Sequence, residues 1–187
     1  MPKVIDTDAL FEATVRIFAV RGYAESTTQE IASRAGVNEV TLFRKYGTKA
    51  GLIGAALNAK LGDSPFAHVE ASGDVRADLG AVAAAFDATN RAYGGAVMTL
   101  LVELPRHPEL ADAATILMAN LGHAAEIMRT HQQAGRIAPG DPFQKVALLI
   151  APLVAGGLWT RAFGELPGGG MDADVAVESF MGGHAGA

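Results

Sequence analysis

The tightest constraint on this chain is a pair of short helical segments set inside residues 27–46 and joined by the turn Ala35-Gly36-Val37-Asn38. Thr27-Thr28-Gln29-Glu30 opens the first of them. Thr27 and Glu30 stand at capping-box spacing, in which each side chain satisfies a free backbone amide of the other's turn. Ile31, Ala32 and Ala35 form its inner face. Gly36 permits the tight turn, Val37 drops toward the core, and Asn38 is a favourable N-cap for a segment running to about Tyr46. Two short helices crossing steeply around a Gly-containing turn make a helix-turn-helix.

The rest of the chain also reads as helix. Residues 7–21 place Leu10, Ala13, Ile17 and Phe18 at helical spacing, and Gly22 follows as a C-terminal stop. A fourth segment runs from Lys49 to about Leu61. Residues 62–74, rich in Gly, Ser, Pro and Asp, form the expected boundary between a domain at 1–61 and a domain at 62–187. Beyond it, Asp74 caps a segment ending at Asn90 or Tyr93, with Leu79, Val82, Ala83 and Phe86 inward. A short segment follows over 96–104, stopped by Pro105 and Pro108. A long one covers 110–134, and Asp141-Pro142 opens another that reaches Phe163 with Pro152 kinking it. Gly164 to Gly170 is expected as a loop, with a flexible Gly168-Gly-Gly within it. A last helix spans about 172–181, and Gly182 to Ala187 is expected to fray. The expectation is an all-α chain of about nine helices; no run of alternating β-branched residues suggests a sheet.

Composition narrows the chemistry. The 187 residues contain no cysteine, which excludes disulfides, thiolate metal sites and cysteine nucleophiles and suits a cytoplasmic protein. No signal peptide is visible at the start. The longest uncharged apolar stretch, 146–160, is shorter than the roughly 20 residues of a membrane span, so no membrane association is expected. Hydrophobic residues make up 50% of the chain and charged residues 19%, enough apolar side chain for a sizeable core. The net charge of −5 argues against nonspecific coating of nucleic acid. It is unevenly spread: residues 1–61 hold eight Lys/Arg against six Asp/Glu, a charge of +2, leaving −7 for the remainder.

The helix-turn-helix presents the start of its second helix to solvent. There stand Glu39, Val40, Thr41, Arg44 and Lys45, with Leu42 and Phe43 expected to turn toward the first helix. A helix of this width fits the DNA major groove, and its leading side chains reach base edges. Arg44 is the leading candidate for a base contact, and Lys49 for a phosphate contact. Ordinary solvated charge is the competing reading for Arg44 and Lys45. For Glu39, a cytosine contact competes with a charge favoured by the helix dipole.

The ordered set running from Phe18 through Arg21-Gly22-Tyr23, Thr27-Thr28, Ile31-Ala32, Ala35-Gly36-Val37 and Thr41-Leu42-Phe43 to Thr48-Lys49 resembles the N-terminal domain of the tetracycline-repressor (TetR) family. The likeness covers about residues 8–57; the later part matches only in pattern, including Arg106-His107-Pro108-Glu109-Leu110. It implies an all-helical homodimer with a C-terminal domain that takes a small molecule. It also implies that Thr28 and Gln29 meet a phosphate or base, that Glu39, Val40, Thr41, Arg44 and Lys45 read bases or neighbouring phosphates, and that Tyr46 and Lys49 lie near the DNA backbone. Phe43 departs from the frequent Tyr of this family, so Tyr46 is expected to supply the phenol. Gly51 replaces a frequent acidic residue, so the fourth helix lacks a capping box and is expected to start loosely.

Phe86, Tyr93, Met98, Leu101, Met118, Leu121 and Trp159 are candidates to line the cavity that the resemblance implies, with Asn90 and Asn120 as polar handles; plain core packing is the competing reading for each. The scarcity of charge within these helices suggests a largely apolar effector. The last two helices are more apolar than one inward stripe requires. Leu149, Leu153, Leu158, Phe163, Val175 and Phe180, beside Val146 and Ile150, are candidates for a two-fold interface, against the alternative that they wrap the monomer core.

No cofactor or metal site is expected. His123 and Glu126 stand three apart on one helix, but two ligands make no site. Neither a nucleophile elbow, a phosphate loop nor a His-Glu-x-x-His motif is present, which argues against an enzyme. The sequence therefore points to a ligand-responsive regulator, binding a palindromic double-stranded DNA operator as a homodimer and acting as a repressor. The alternative is a helical ligand-binding or interaction protein that no longer binds DNA.

Overall fold

A computed structural model describes residues 6–164 and 171–184. Among these residues the fold is all-α, with eight α-helices and no strand: α1 (Thr7–Glu25), α2 (Thr28–Ala35), α3 (Glu39–Tyr46), α4 (Lys49–Gly62), α5 (Val75–Glu103), α6 (Ala111–Gln133), α7 (Pro142–Phe163) and α8 (Ala173–His184). Short 3-10 turns cover Pro65–His68 and Pro108–Leu110. The expected loop at 165–170 and frayed end at 185–187 lie outside the described residues.

Local chemistry sets most helix ends. The Asp6 carboxylate accepts from Ala9 N, Thr27 Oγ1 from Glu30 N at 3.1 Å, Asn38 Oδ1 from Val40 N at 2.8 Å and Asp74 Oδ1 from Ala77 N at 2.8 Å. Asp141 accepts from Phe143 N at 2.8 Å, with Pro142 at the first helical position. Gly36 ends α2 in the left-handed region, at φ 64°, where its N–H reaches the last carbonyls of that helix. Gly22, expected as a stop, instead marks a kink at φ 71°, after which α1 continues to Glu25.

Nine helices become eight because the segments expected either side of Gly94-Gly95 are one helix, α5. Two adjacent glycines weaken a helix by roughly 1 kcal/mol each relative to Ala. Here Gly94 is needed for packing: a side chain on it would collide with the Asn90 amide and the Arg161 guanidinium. Tertiary fit holds the helix through a sequence that locally reads as a break.

The chain packs as two compact units. Residues 1–62 and 95–117 form the first, and 63–94 and 118–187 the second. In the first, Leu10, Ile17, Ile31, Ala32, Leu42 and Leu52 bring α1 to α4 around one core, with Phe11, Ala35, Val37 and Tyr46 packed at its margin. In the second, Leu79, Val82 and Ala83 of α5, Ala125 and Met128 of α6, Val146, Leu149 and Leu153 of α7, and Val177 and Phe180 of α8 share a larger core.

That core corrects the interface expectation at three positions. Leu149, Leu153 and Phe180 are buried within their own chain, because they occupy the inward stripe of α7 and α8. Leu158, Phe163 and Val175 are exposed, as are Leu148, Trp159 and Met171. Helix α7 also runs beyond the 146–160 stretch, which is itself too short for a span. By length and composition alone, the 22 residues of the whole helix suffice to cross a membrane.

A candidate DNA-reading helix

Helix α3 is held from beneath by Leu42, which is buried, and Tyr46, which is half-buried against Phe11 with ring centroids 5.9 Å apart. The opposite stripe is Val40, Phe43 and Arg44, at the i, i+3, i+4 spacing of one helical face. All three are exposed, Val40 at 73%. Lys45 is also exposed, and Thr41 is intermediate. Phe43, expected to turn inward, faces out. The position of Leu42 on the core side rotates Phe43 outward, a placement that its spacing from Val40 already implied.

The N-termini of α2 and α3 meet through one side-chain contact. Thr28 Oγ1 donates to Glu39 Oε1 at 2.5 Å, so the leading carboxylate of α3 is engaged within the chain. Gln29 is exposed beside it. Glu30, one turn into α2, pairs with Arg21 at 3.1 Å.

Tyr46 and Lys49, both expected at the DNA backbone, are engaged within the free chain. The Tyr46 Oη is buried and has no hydrogen-bond partner. The Lys49 ammonium donates to the Tyr23 carbonyl at 2.5 Å, approaches the Ala24 carbonyl at 3.5 Å and lies 4.2 Å from the Tyr23 ring centroid. It thus satisfies carbonyls left free where α1 ends and adds a cation–π contact. Helix α4 starts firmly, not loosely: Thr48 Oγ1 accepts from Gly51 N at 3.0 Å. A side chain at 51 would collide with the Tyr46 carbonyl, which accounts for glycine there.

The Tyr23 side belongs to a wider polar cluster within the same unit. Its backbone N–H donates to Glu103 Oε1 at 3.3 Å, and its ring lies 4.6 Å from that of His107. His107 stands between Glu103 at 3.4 Å and Glu109 at 3.5 Å. Burial, reinforced by the nearby Glu109 carboxylate, raises the Tyr23 phenol above its ordinary range.

The residues expected to line a ligand cavity fall in both units. Met98 and Leu101 fall in the first unit and the other seven in the second. Phe86 and Leu121 pack against the second core, Phe86 edge-on to Phe66 at 5.2 Å. Asn90 is buried and donates to the Leu153 carbonyl at 3.1 Å. Asn120 is buried, Tyr93 is half-buried and Met98 is intermediate. Leu101, Met118 and Trp159 are about half exposed. A 270 Å³ cleft in the second unit is lined instead by Asp87, Arg91, Gly156, Gly157, Thr160, Arg161 and Met171. His123 is engaged with the Val69 carbonyl at 2.6 Å and Glu126 pairs with Arg129; among the described residues no group of three potential metal ligands occurs.

The family described as bacterial regulatory proteins, tetR family, matches residues 10–56, the span of α1 to α4 just described. That match takes in about a quarter of the chain and falls on its helix-turn-helix. Over 70 residues the chain is 33% identical to the helix-turn-helix-type transcriptional regulator YvkB of Bacillus subtilis, covering 37% of each chain. It is 39% identical over 70 residues to the helix-turn-helix-type transcriptional repressor Rv3405c of Mycobacterium tuberculosis, covering 36% of each. The match therefore spans little more than a third of these curated relatives. A solved TetR-family transcriptional regulator from Pseudomonas syringae superposes with a TM-score of 0.71 at 19% identity, covering 98% of both chains. The helical fold of that solved structure is thus shared over nearly the whole chain, while the sequence match to the curated relatives covers little more than a third of it.

Proposed function

We propose that the chain is a transcriptional regulator that reads double-stranded DNA with α3. The observation that carries this reading is the outward stripe Val40-Phe43-Arg44 on a helix whose other side is anchored by Leu42. An exposed face led by an arginine and two apolar side chains matches what a major groove offers: guanine O6 and N7 for the guanidinium, thymine methyls for Val and Phe. Thr41, Lys45 and Gln29 flank the stripe and supply hydrogen bonds to bases or phosphates. Thr28 and Glu39 enter as a pair, since each is the other's partner in the free protein. Lys49 holds the end of α1 in place beside this surface, and Tyr46 supports α3 from within.

The functional division at 1–61 and 62–187 follows from this reading, with the second part pairing two chains and taking a small effector. Leu158, Trp159, Phe163 and Val175, all exposed on α7 and α8, supply the apolar surface for a homodimer. A two-fold pair would set the reading helices about 34–36 Å apart on a palindromic operator. The protein would then act as a repressor in the cytoplasm, released when an effector favours the state that does not bind DNA. The repressor name carried by the M. tuberculosis relative supports that direction of control.

The test is selection of bound sequences from random DNA by the purified full chain, followed by a salt titration on the selected sequence. Recovery of a palindrome, with affinity falling steeply as salt rises, supports the reading. Recovery of no sequence, or binding indifferent to salt, rejects it in favour of a helical binding protein without DNA activity.

A further inference from the structure

The 270 Å³ cleft between α5 and α7 contains a cation with no anionic partner among the described residues. Arg161 Nη1 donates to the Asn90 carbonyl at 3.2 Å, and no carboxylate of the described residues pairs with it. The neighbouring Arg91 is already matched, to Asp87 at 2.5 Å. Among the described residues the titratable groups lining the cleft are Asp87, Arg91 and Arg161, a charge of +1 in a chain whose total is −5.

The Arg161 side chain, exposed as a residue, lays its guanidinium beside two glycines. A side chain at Gly94 would collide with Asn90 and lie 2.7 Å from Arg161 Nη1, and one at Gly157 would strike the Asn90 amide and lie 3.3 Å from the same nitrogen. Glycines on two different helices thus open the space that Arg161 occupies. Asn90 is fixed in turn by its bond to the Leu153 carbonyl. Partial burial of the guanidinium, in a residue that is otherwise exposed, lowers the affinity of Arg161 for its proton. The guanidinium nevertheless keeps donors beyond the one used on Asn90, with the Thr160 hydroxyl lining the same cleft. Met171, lying against Gly156, adds an apolar side chain to the lining.

We propose that this cleft binds the carboxylate of a small monoanionic ligand on Arg161, with the apolar part of the ligand directed toward Met171. A guanidinium meets a carboxylate through two parallel hydrogen bonds, and a single net positive charge is balanced by a monoanion. A phosphate dianion would leave excess negative charge beside Asp87. The ligand's role as effector rests on the regulator reading above; the binding itself does not.

The full chain is titrated with hexanoate, hexanol, hexylamine and inorganic phosphate. Binding is followed by calorimetry and by the fluorescence of Trp159, the sole tryptophan and two residues from Arg161. Hexanoate is expected to bind at least tenfold more tightly than the other three. Arg161→Met, which keeps the aliphatic stem, is expected to abolish that preference, and Arg161→Lys to retain part of it, both with the circular dichroism of the parent. Equal binding of hexanoate and hexanol, tighter binding of phosphate, no binding of any probe, or a preference that survives in Arg161→Met overturns the proposal. Operator affinity is measured in parallel. Hexanoate that binds through Arg161 without changing that affinity removes the effector role and leaves the site standing. Operator binding without a carboxylate preference does the reverse. If Arg161→Met unfolds, the comparison of Arg161→Lys with the parent, read as the hexanoate-to-hexanol ratio, decides: an unchanged ratio rejects the site.

Discussion

At Tyr46 a phenol oxygen is buried without a partner, an arrangement that costs about 1–3 kcal/mol for the unmet group. Tyr46→Phe removes that cost while keeping the ring against Phe11. It should raise the melting temperature by about 2–4 °C for each kcal/mol recovered and leave operator affinity unchanged. A loss of affinity in mobility-shift assays would instead place that hydroxyl on a phosphate. Lys49 differs in kind, since its ammonium closes the end of α1. Lys49→Ala should lower thermal stability and weaken binding to all DNA sequences together. At Arg44 the effect should be confined to reading: Arg44→Ala should cost about 1–3 kcal/mol of operator affinity and relax preference at one base pair, with melting unchanged. An unaltered selected sequence in that variant would remove Arg44 from the reading face.

Among the elements, the joint of α5 with α6 shows what burial does to a charge. Asp78, 1% exposed, accepts from Ser72 Oγ and N at 2.6 Å each, from Gly73 N at 3.1 Å and from His131 at 2.8 Å. Arg136 Nε donates to the other ring nitrogen of His131 at 2.8 Å, which leaves the ring proton on the nitrogen facing Asp78. Burial alone would raise the Asp78 carboxyl, but the hydrogen bonds from Ser72, Gly73 and His131 outweigh it and hold the group below its ordinary range. A lowered folded value stabilises fully above the unfolded value near 3.9, and the gain is lost as pH falls from there through the folded value. Asp78→Asn should therefore destabilise at pH 7 by about 3–5 kcal/mol, and the gap to the parent should narrow below about pH 4, measured by urea midpoints. A gap constant with pH would show that shape, not charge, does the work at this joint.

Elements of this kind also mark the limit of what the sequence reveals. Caps at Thr27, Asn38, Asp74 and Asp141 were legible because each acts on an amide two or three residues away. The continuity of α5 through Gly94-Gly95 was not, because the Asn90 and Arg161 side chains beside Gly94 come together only in the folded chain. At the reading helix, Val40 and Arg44 were legible from helical spacing and Phe43 could have been. The inward turn of the Tyr46 hydroxyl and the grip of Lys49 on α1 depend on a neighbour distant in sequence, and no local pattern encodes them.

For the molecule as a whole, α7 and α8 leave Leu158, Trp159, Phe163 and Val175 facing water, Phe163 at 80% exposure. Several exposed apolar side chains on neighbouring helices are candidates for an interaction face. Phe163→Glu should shift the protein toward monomer in sedimentation analysis and reduce operator affinity while leaving the helix content intact; an unchanged sedimentation coefficient would place the pairing surface elsewhere. The same greasy face has a kinetic and cellular corollary. A chain that hides it only by pairing makes its own abundance part of the signal: at dilute levels operator occupancy should rise with the square of protein concentration, so that halving expression would cut occupancy about fourfold.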